Sequence, residues 1–232
     1  MNVIRKPFDD RQHLSVALAD HIGKLLIRAV AKKGAASMAV SGGSTPKPLF
    51  EQLSELDICW EHVVITLVDE RWVDREKKDS NEHLVRAHLL KGRAAKATFI
   101  GMKNEALTAA AGVQQCERRL RQVPRPFDLV ILGMGNDGHT ASLFPGARQL
   151  AAATAMDSGK ICMALTPPAA SHDRMTLTLP AILAANRIFL HIVGTEKLKV
   201  LKQALAAGSP EAMPIRFILM QEQVPVTIYH AP

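Results

Sequence analysis

Between Phe127 and Gly146 the chain reads FDLVILGMGNDGHTASLFPG, the stretch that most restricts its fold. The apolar run Leu129–Leu132, behind Phe127, is too short for a helix and is closed by glycine. Such a run reads as a strand buried on both faces, which places it in a parallel sheet. It empties into Gly133-Met134-Gly135-Asn136-Asp137-Gly138-His139-Thr140, with one carboxylate, one imidazole and three glycines. Ligands of open α/β sheets sit beyond the carboxyl ends of the strands. Glycine lets backbone approach a ligand closely, and a histidine there can serve as a general base near neutral pH.

Two other readings compete for this loop. Gly133-x-Gly135-x-x-Gly138 formally fits a dinucleotide fingerprint, which needs a helix starting within the motif and an acidic residue about 20 positions on. Pro145 and Gly146 interrupt that helix, and Asp157 lies in an alanine-rich, strandless stretch. The other reading is a structural turn in which His139 caps a helix.

The remaining chain repeats the same alternation. Asp9 or Asp10 can cap a helix running to Lys33 with Gly34 as its stop. The strand Ser37–Ser41 leads into Gly42-Gly43-Ser44-Thr45-Pro46, with Thr45 as N-cap and Pro46 as first residue of the next helix. That arrangement is either an ordinary βα turn or a phosphate cradle of free N–H groups at a helix start. Val63–Val68 reads as a second buried strand ending in Asp69-Glu70-Arg71-Trp72, charges that must pair with each other or with a ligand. Ser80-Asn81 opens a helix to Leu90; His83 and His88 within it are five apart and cannot share a metal face. Further strands are expected at Ala97–Ile100, Ile161–Leu165, Met175–Leu179 and Arg187–Val193, with a helix from Glu105 to Gln122. The last of these strands feeds Gly194-Thr195-Glu196-Lys197 and a helix to Ala206, and Pro225–Tyr229 closes the sheet or its edge.

The resulting expectation is an α/β fold: one domain over residues 1–232, with a mostly parallel, Rossmann-like central sheet flanked by helices. The 47% hydrophobic content can build such a core, chiefly from aliphatic side chains because aromatics are 4%. No apolar run approaches the ~18 residues of a membrane span. Cys59, Cys116 and Cys162 form no CxxC, so neither a disulfide framework nor a zinc cluster is expected, and a cytoplasmic location is. The formal net charge of +7 suits an anionic partner. Nucleic acid is disfavoured: the basic residues are scattered, and the densest group, Arg118-Arg119-x-Arg121, reads as a solvated helix face. A small phosphorylated substrate fits better. Four strand ends carry chemistry, at Gly42-Gly43-Ser44, Asp69-Glu70-Arg71, Asp137-Gly138-His139 and Gly194-Thr195-Glu196-Lys197, and in a parallel sheet these would converge on one edge.

At these residues the chain resembles the 6-phosphogluconolactonases, of the superfamily that also contains glucosamine-6-phosphate deaminase. The motifs are SGGSTPKPLF, VDERWV followed by SN, LGMGNDGHTASLFPG, RMTLTLPAI and VGTEKLKVL, nearly end to end and in that order. Two positions separate lactonase from deaminase. Arg71 stands where the deaminase has tyrosine, and Phe144 stands where it has a ring-opening glutamate five residues beyond the histidine.

The resemblance implies a deaminase-like fold and hydrolysis of 6-phospho-D-glucono-1,5-lactone, the second step of the oxidative pentose phosphate pathway. It implies neither cofactor nor metal, no nucleic-acid or membrane partner, and a monomer or weak homodimer. His139 would take a proton from the attacking water and return it to the departing ring oxygen. Asp137 would orient the imidazole or bind a sugar hydroxyl. Arg71, held by Asp69, would stabilise charge on the carbonyl oxygen. The phosphate would meet Gly42, Gly43 and Ser44 N–H groups with Arg174 and Lys197, and Asn81 matches the family's Ser-Asn pair. Ser41, Ser44 and Thr45 lack an adjacent histidine or a Gly-x-Ser-x-Gly elbow and are poor nucleophiles. The alternatives are a hexosamine-phosphate deaminase or isomerase and a non-catalytic sugar-phosphate sensor.

Overall fold

The structure is a computed structural model that describes residues 3–168 and 171–232. A first strand, β1 (Val3–Pro7), precedes the long helix α1 (Arg11–Lys33). Asp10 caps that helix by accepting from the His13 N–H at 2.8 Å, and Gly34 ends it at φ +78°. β2 (Ala36–Val40), α2 (Lys47–Glu55) and β3 (Val63–Leu67) follow, then β4 (Asp69–Arg71), α3 (Asn81–His88) and β5 (Thr98–Ile100). The second half runs α4 (Ala109–Leu120), β6 (Leu129–Leu132), α5 (Leu150–Thr154), β7 (Cys162–Leu165) and β8 (Arg174–Leu177). It closes with α6 (Leu179–Leu183), β9 (Ile188–Val193), α7 (Thr195–Leu205), α8 (Arg216–Leu219) and β10 (Val226–Ala231).

Seven strands form one sheet in the order β1-β10-β9-β6-β2-β3-β5, every pairing parallel. Its central strands are buried on both faces, as the continuous apolar runs require. α1 packs on α2, β2 and β10, while α7 packs on β9 and α8. From β2 the chain moves outward through β3 to β5, then returns to the other side of β2 as β6 and proceeds to β9 and β10. The winding therefore reverses between β2 and β6. At such a switch point the loops leaving the two strands part in opposite directions and open a crevice at the carboxyl end.

Several boundaries differ from the sequence reading. α2 starts one residue late: Pro46, not Thr45, is its cap residue and gives no side-chain cap bond. α4 starts at Ala109 rather than Glu105, because Thr108 accepts from the Ala111 N–H and sets the start. Asp69-Glu70-Arg71 is not a loop. It is a strand, β4, of a second, antiparallel sheet in the order β4-β8-β7. The expected strand at Met175–Leu179 lies two residues earlier at its end and one at its start. β10 is not an edge either, since β1 pairs along its outer side from Val3↔Val226 to Pro7↔His230. No helix among the described residues is long and apolar enough to cross a membrane.

Candidate active site

A cleft of about 270 Å³ opens at the switch point between β2 and β6. Its walls bring together Gly42, Gly43 and Ser44 after β2, Asp69 and Arg71 of β4, Asn81, His139 and Lys197. The two loops are stitched by Ser41, which donates N–H (3.1 Å) and Oγ–H (3.0 Å) to the Ile131 carbonyl while its Oγ accepts from the Gly133 N–H at 3.1 Å. Thr140 ties back the far end by donating its hydroxyl to the Gly133 carbonyl at 2.8 Å.

Asp137 does not line the cleft; it stands behind His139. Its Oδ1 lies 2.5 Å from His139 Nδ1 and accepts the His139 backbone N–H at 3.1 Å. Burial would raise the Asp137 carboxyl, but the imidazole and that N–H outweigh it and hold it below its ordinary value. An ionised carboxylate can only accept, so in the neutral ring it is Nδ1 that carries the proton and Nε2 that has the lone pair. The contact sets the Asp137 carboxylate against the imidazole. Gly135 makes it possible, since a Cβ there would lie 2.1 Å from His139 Cε1 and 2.2 Å from Nδ1. Phe144 packs against the imidazole, ring centroids 4.2 Å apart at 34°. Ala141, on the cleft wall, holds φ +49°, a conformation uncommon outside glycine.

Asp69 and Arg71 do not pair with each other as the sequence suggested. Asp69 Oδ2 accepts from Ser142 Oγ at 2.5 Å and its Oδ1 from Asn81 Nδ2 at 3.3 Å. Arg71 donates Nη1 to the Asp79 carbonyl at 2.6 Å. The intervening Glu70 turns inward, as strand alternation demands. It accepts the backbone N–H groups of Arg71, Asn81 and Glu82 at 2.7–2.8 Å and the Ser80 hydroxyl at 3.0 Å. Burial pushes its carboxyl up to about 7, against the pull of those four donors. Glu70 thus fixes the start of α3, and with it Asn81, whose amide rests on Gly42. A Cβ at Gly42 would lie 1.9 Å from Asn81 Oδ1.

Arg174 is not on the cleft wall. It is buried on β8, directly opposite Arg71 in the β4–β8 register, and donates Nη1 to the His172 carbonyl at 2.6 Å. Directly opposed residues project side by side from the same face of a sheet, so Arg174 lies beside Arg71. Burial first, then the Arg71 charge, lowers its pKa. Lys197 does line the cleft, in the first turn of α7, where Gly194 at φ +111° turns the chain from strand to helix. Burial lowers the Lys197 pKa. Sequence reasoning missed His191, which lines the same cleft from within β9. The available signal was one imidazole in the otherwise apolar run Ile188–Val193. Glu70 was grouped with its neighbours, although its side chain faces the other way.

Comparison with known proteins fits this arrangement. The family described as glucosamine-6-phosphate isomerases/6-phosphogluconolactonase matches residues 9–227. A 6-phosphogluconolactonase of Rhizobium meliloti (strain 1021) is 42% identical over 97% of this chain and 97% of its own length. One from Pseudomonas aeruginosa is 40% identical over 93% of this chain and 89% of its own. The solved structure of a 6-phosphogluconolactonase from Shewanella baltica OS155 superposes with a TM-score of 0.97 at 46% identity, covering 99% of this chain and 98% of that one. A monomeric glucosamine-6-phosphate deaminase of the NagB superfamily shares the fold at a TM-score of 0.78 and 17% identity.

Proposed function

The chain belongs to the glucosamine-6-phosphate isomerase/6-phosphogluconolactonase family and is a hydrolase, and on that footing we propose that it hydrolyses 6-phospho-D-glucono-1,5-lactone to 6-phospho-D-gluconate with His139 as general base. The observation that carries the reading is the His139–Asp137 pair, with the His139 ring and Lys197 lining the same switch-point cleft.

His139 Nε2 removes a proton from water as it attacks the lactone carbonyl, and the imidazolium returns that proton to the ring oxygen as the C–O bond opens. Asp137 holds Nδ1–H and stabilises the cation that forms between the two steps. Arg71 offers its guanidinium to the oxyanion, and Arg174 beside it adds positive charge from just outside the cleft lining. Asp69, fixed by Ser142 and Asn81, is placed to accept from a sugar hydroxyl. The N–H groups of Gly42, Gly43 and Ser44 and the Lys197 ammonium receive the phosphate.

This is the second step of the oxidative pentose phosphate pathway. The substrate is the enzyme's partner, in a cytoplasmic protein that forms one domain and acts as a monomer or weak homodimer. The three cysteines are free, which suits a reducing compartment.

Phe144 against His139 disfavours the deaminase alternative, since an apolar ring occupies the position of a ring-opening carboxylate. The test is proton release on lactone hydrolysis above the spontaneous background. His139→Ala should lose about 10²- to 10⁴-fold in kcat while still binding 6-phosphogluconate. Ammonia release from glucosamine 6-phosphate with no acceleration of lactone hydrolysis would overturn the proposal.

A further inference from the structure

His191 is only 3% exposed, yet it belongs to the cleft wall. The reason lies in the register. β6 accompanies β9 only as far as Leu132↔Leu190 and then departs as the Gly133 loop, whereas β10 continues beside β9 to Ala231↔Val193. His191 is therefore the first residue of β9 with no strand on its β6 side, and that side is the cleft. On its other side it faces Tyr229 of β10. Two residues earlier, Phe189 projects to the same face of the sheet and meets His21 of α1 at 4.9 Å between ring centroids. α1 thus covers that face, with Arg11 at its start.

Neither ring nitrogen of His191 has a hydrogen-bond partner within the protein. Buried polar groups are nearly always bonded, and an orphaned one carries a desolvation cost. The charges that act on the ring are both cationic, Arg11 and Lys197. Burial, then those two cations, pushes the imidazole down to about 4, so at neutral pH it is a neutral ring with one N–H to donate. A cationic recess with an unused donor complements an anion.

We propose that His191 is a binding residue for the phosphate of the substrate, donating a ring N–H to a phosphate oxygen beside the Lys197 ammonium and so favouring phosphorylated over unphosphorylated lactones. The proposal rests on the lactonase reading for its substrate but stands on the cleft's own chemistry for the anion. Placed at this end, the residue is distinct from the His139 machinery: it binds and does not transfer the proton of the reaction.

The experiment compares wild type with His191→Leu, of similar volume but without a donor, and His191→Asn, which keeps one. Steady-state hydrolysis of 6-phosphogluconolactone and of glucono-1,5-lactone is measured on each protein, with thermal melts to establish that it is folded. For His191→Leu the KM for the phosphorylated lactone should rise about 10- to 100-fold, with kcat falling far less. The preference for phosphorylated over unphosphorylated substrate should fall by a similar factor, and His191→Asn should recover part of it. An unchanged preference in a folded His191→Leu protein, or a collapse of kcat at constant KM, would overturn the assignment. Wild type that fails to accelerate lactone hydrolysis would sink the parent function instead. The His191 assignment is then decided by ¹⁵N-imidazole NMR of the wild-type protein titrated with inorganic phosphate. A shifted His191 ring signal supports it, and a silent one refutes it.

Discussion

Replacing Gly135 with alanine isolates the orientation of His139 from everything else in the cleft. Gly135 is not among the positive-φ positions, so its backbone accepts alanine without strain. The new Cβ would lie 2.1 Å from His139 Cε1 and must reach the 3.4 Å of ordinary contact, so the ring moves by at least 1.3 Å. The same methyl would stand 2.7 Å from Asp137 Oδ1, pressing both members of the pair apart from one side. A 2.5 Å hydrogen bond does not survive such a shift, and Nε2 leaves its line to the carbonyl. Misplacement by about 1 Å costs about 100-fold in rate, or about 2.7 kcal/mol of barrier. Stability should suffer little, because the His139 and Asp137 side chains are 30% and 47% exposed and can swing toward solvent. Proton-release kinetics should therefore show kcat down about 100-fold with KM for the phosphorylated lactone within a few-fold, and melting lowered by only a few degrees. A folded Gly135→Ala enzyme with wild-type kcat would refute the claim that this imidazole must be held where Asp137 holds it.

Asp137→Asn removes the acceptor that fixes the tautomer; kcat should drop about 10²- to 10³-fold, and the loss should not be recovered by raising substrate. Lys197→Ala should raise KM for the phosphorylated lactone about 10- to 100-fold in steady-state assays with a much smaller change in kcat; constant KM with a collapsed kcat would move the phosphate elsewhere. Gly42→Ala should displace the Asn81 amide, which its Cβ would meet at 1.9 Å, and weaken 6-phosphogluconate binding in calorimetry without unfolding the chain. His191 also makes a prediction for stability. Its folded value near 4 lies below the ordinary 6.5, so the unfolded chain binds the extra proton between those values and folding weakens as pH falls from about 6.5 to about 4. The loss is about 3 kcal/mol in urea unfolding, and His191→Leu should abolish that part of the pH dependence.

What the sequence determined by itself was local in origin. Apolar runs bounded by glycine or charge dictated the strands Ala36–Val40, Val63–Leu67, Leu129–Leu132 and Ile188–Val193. Asp10 and Gly34 dictated the ends of α1, because caps act through bonds a few residues away. The loaded strand ends were legible for the same reason, and most of their residues do meet in one cleft. Tertiary structure decided which way each side chain faces and what lies behind it. Only the antiparallel pairing of β4 with β8 sends Glu70 inward to the start of α3 and sets Arg174 beside Arg71. Only the early departure of β6 turns His191, which reads as one more core residue of an apolar strand, into part of the cleft. Those outcomes depend on register between segments far apart in the chain, where a slip of one residue reverses every side chain, and no short window of sequence contains that information.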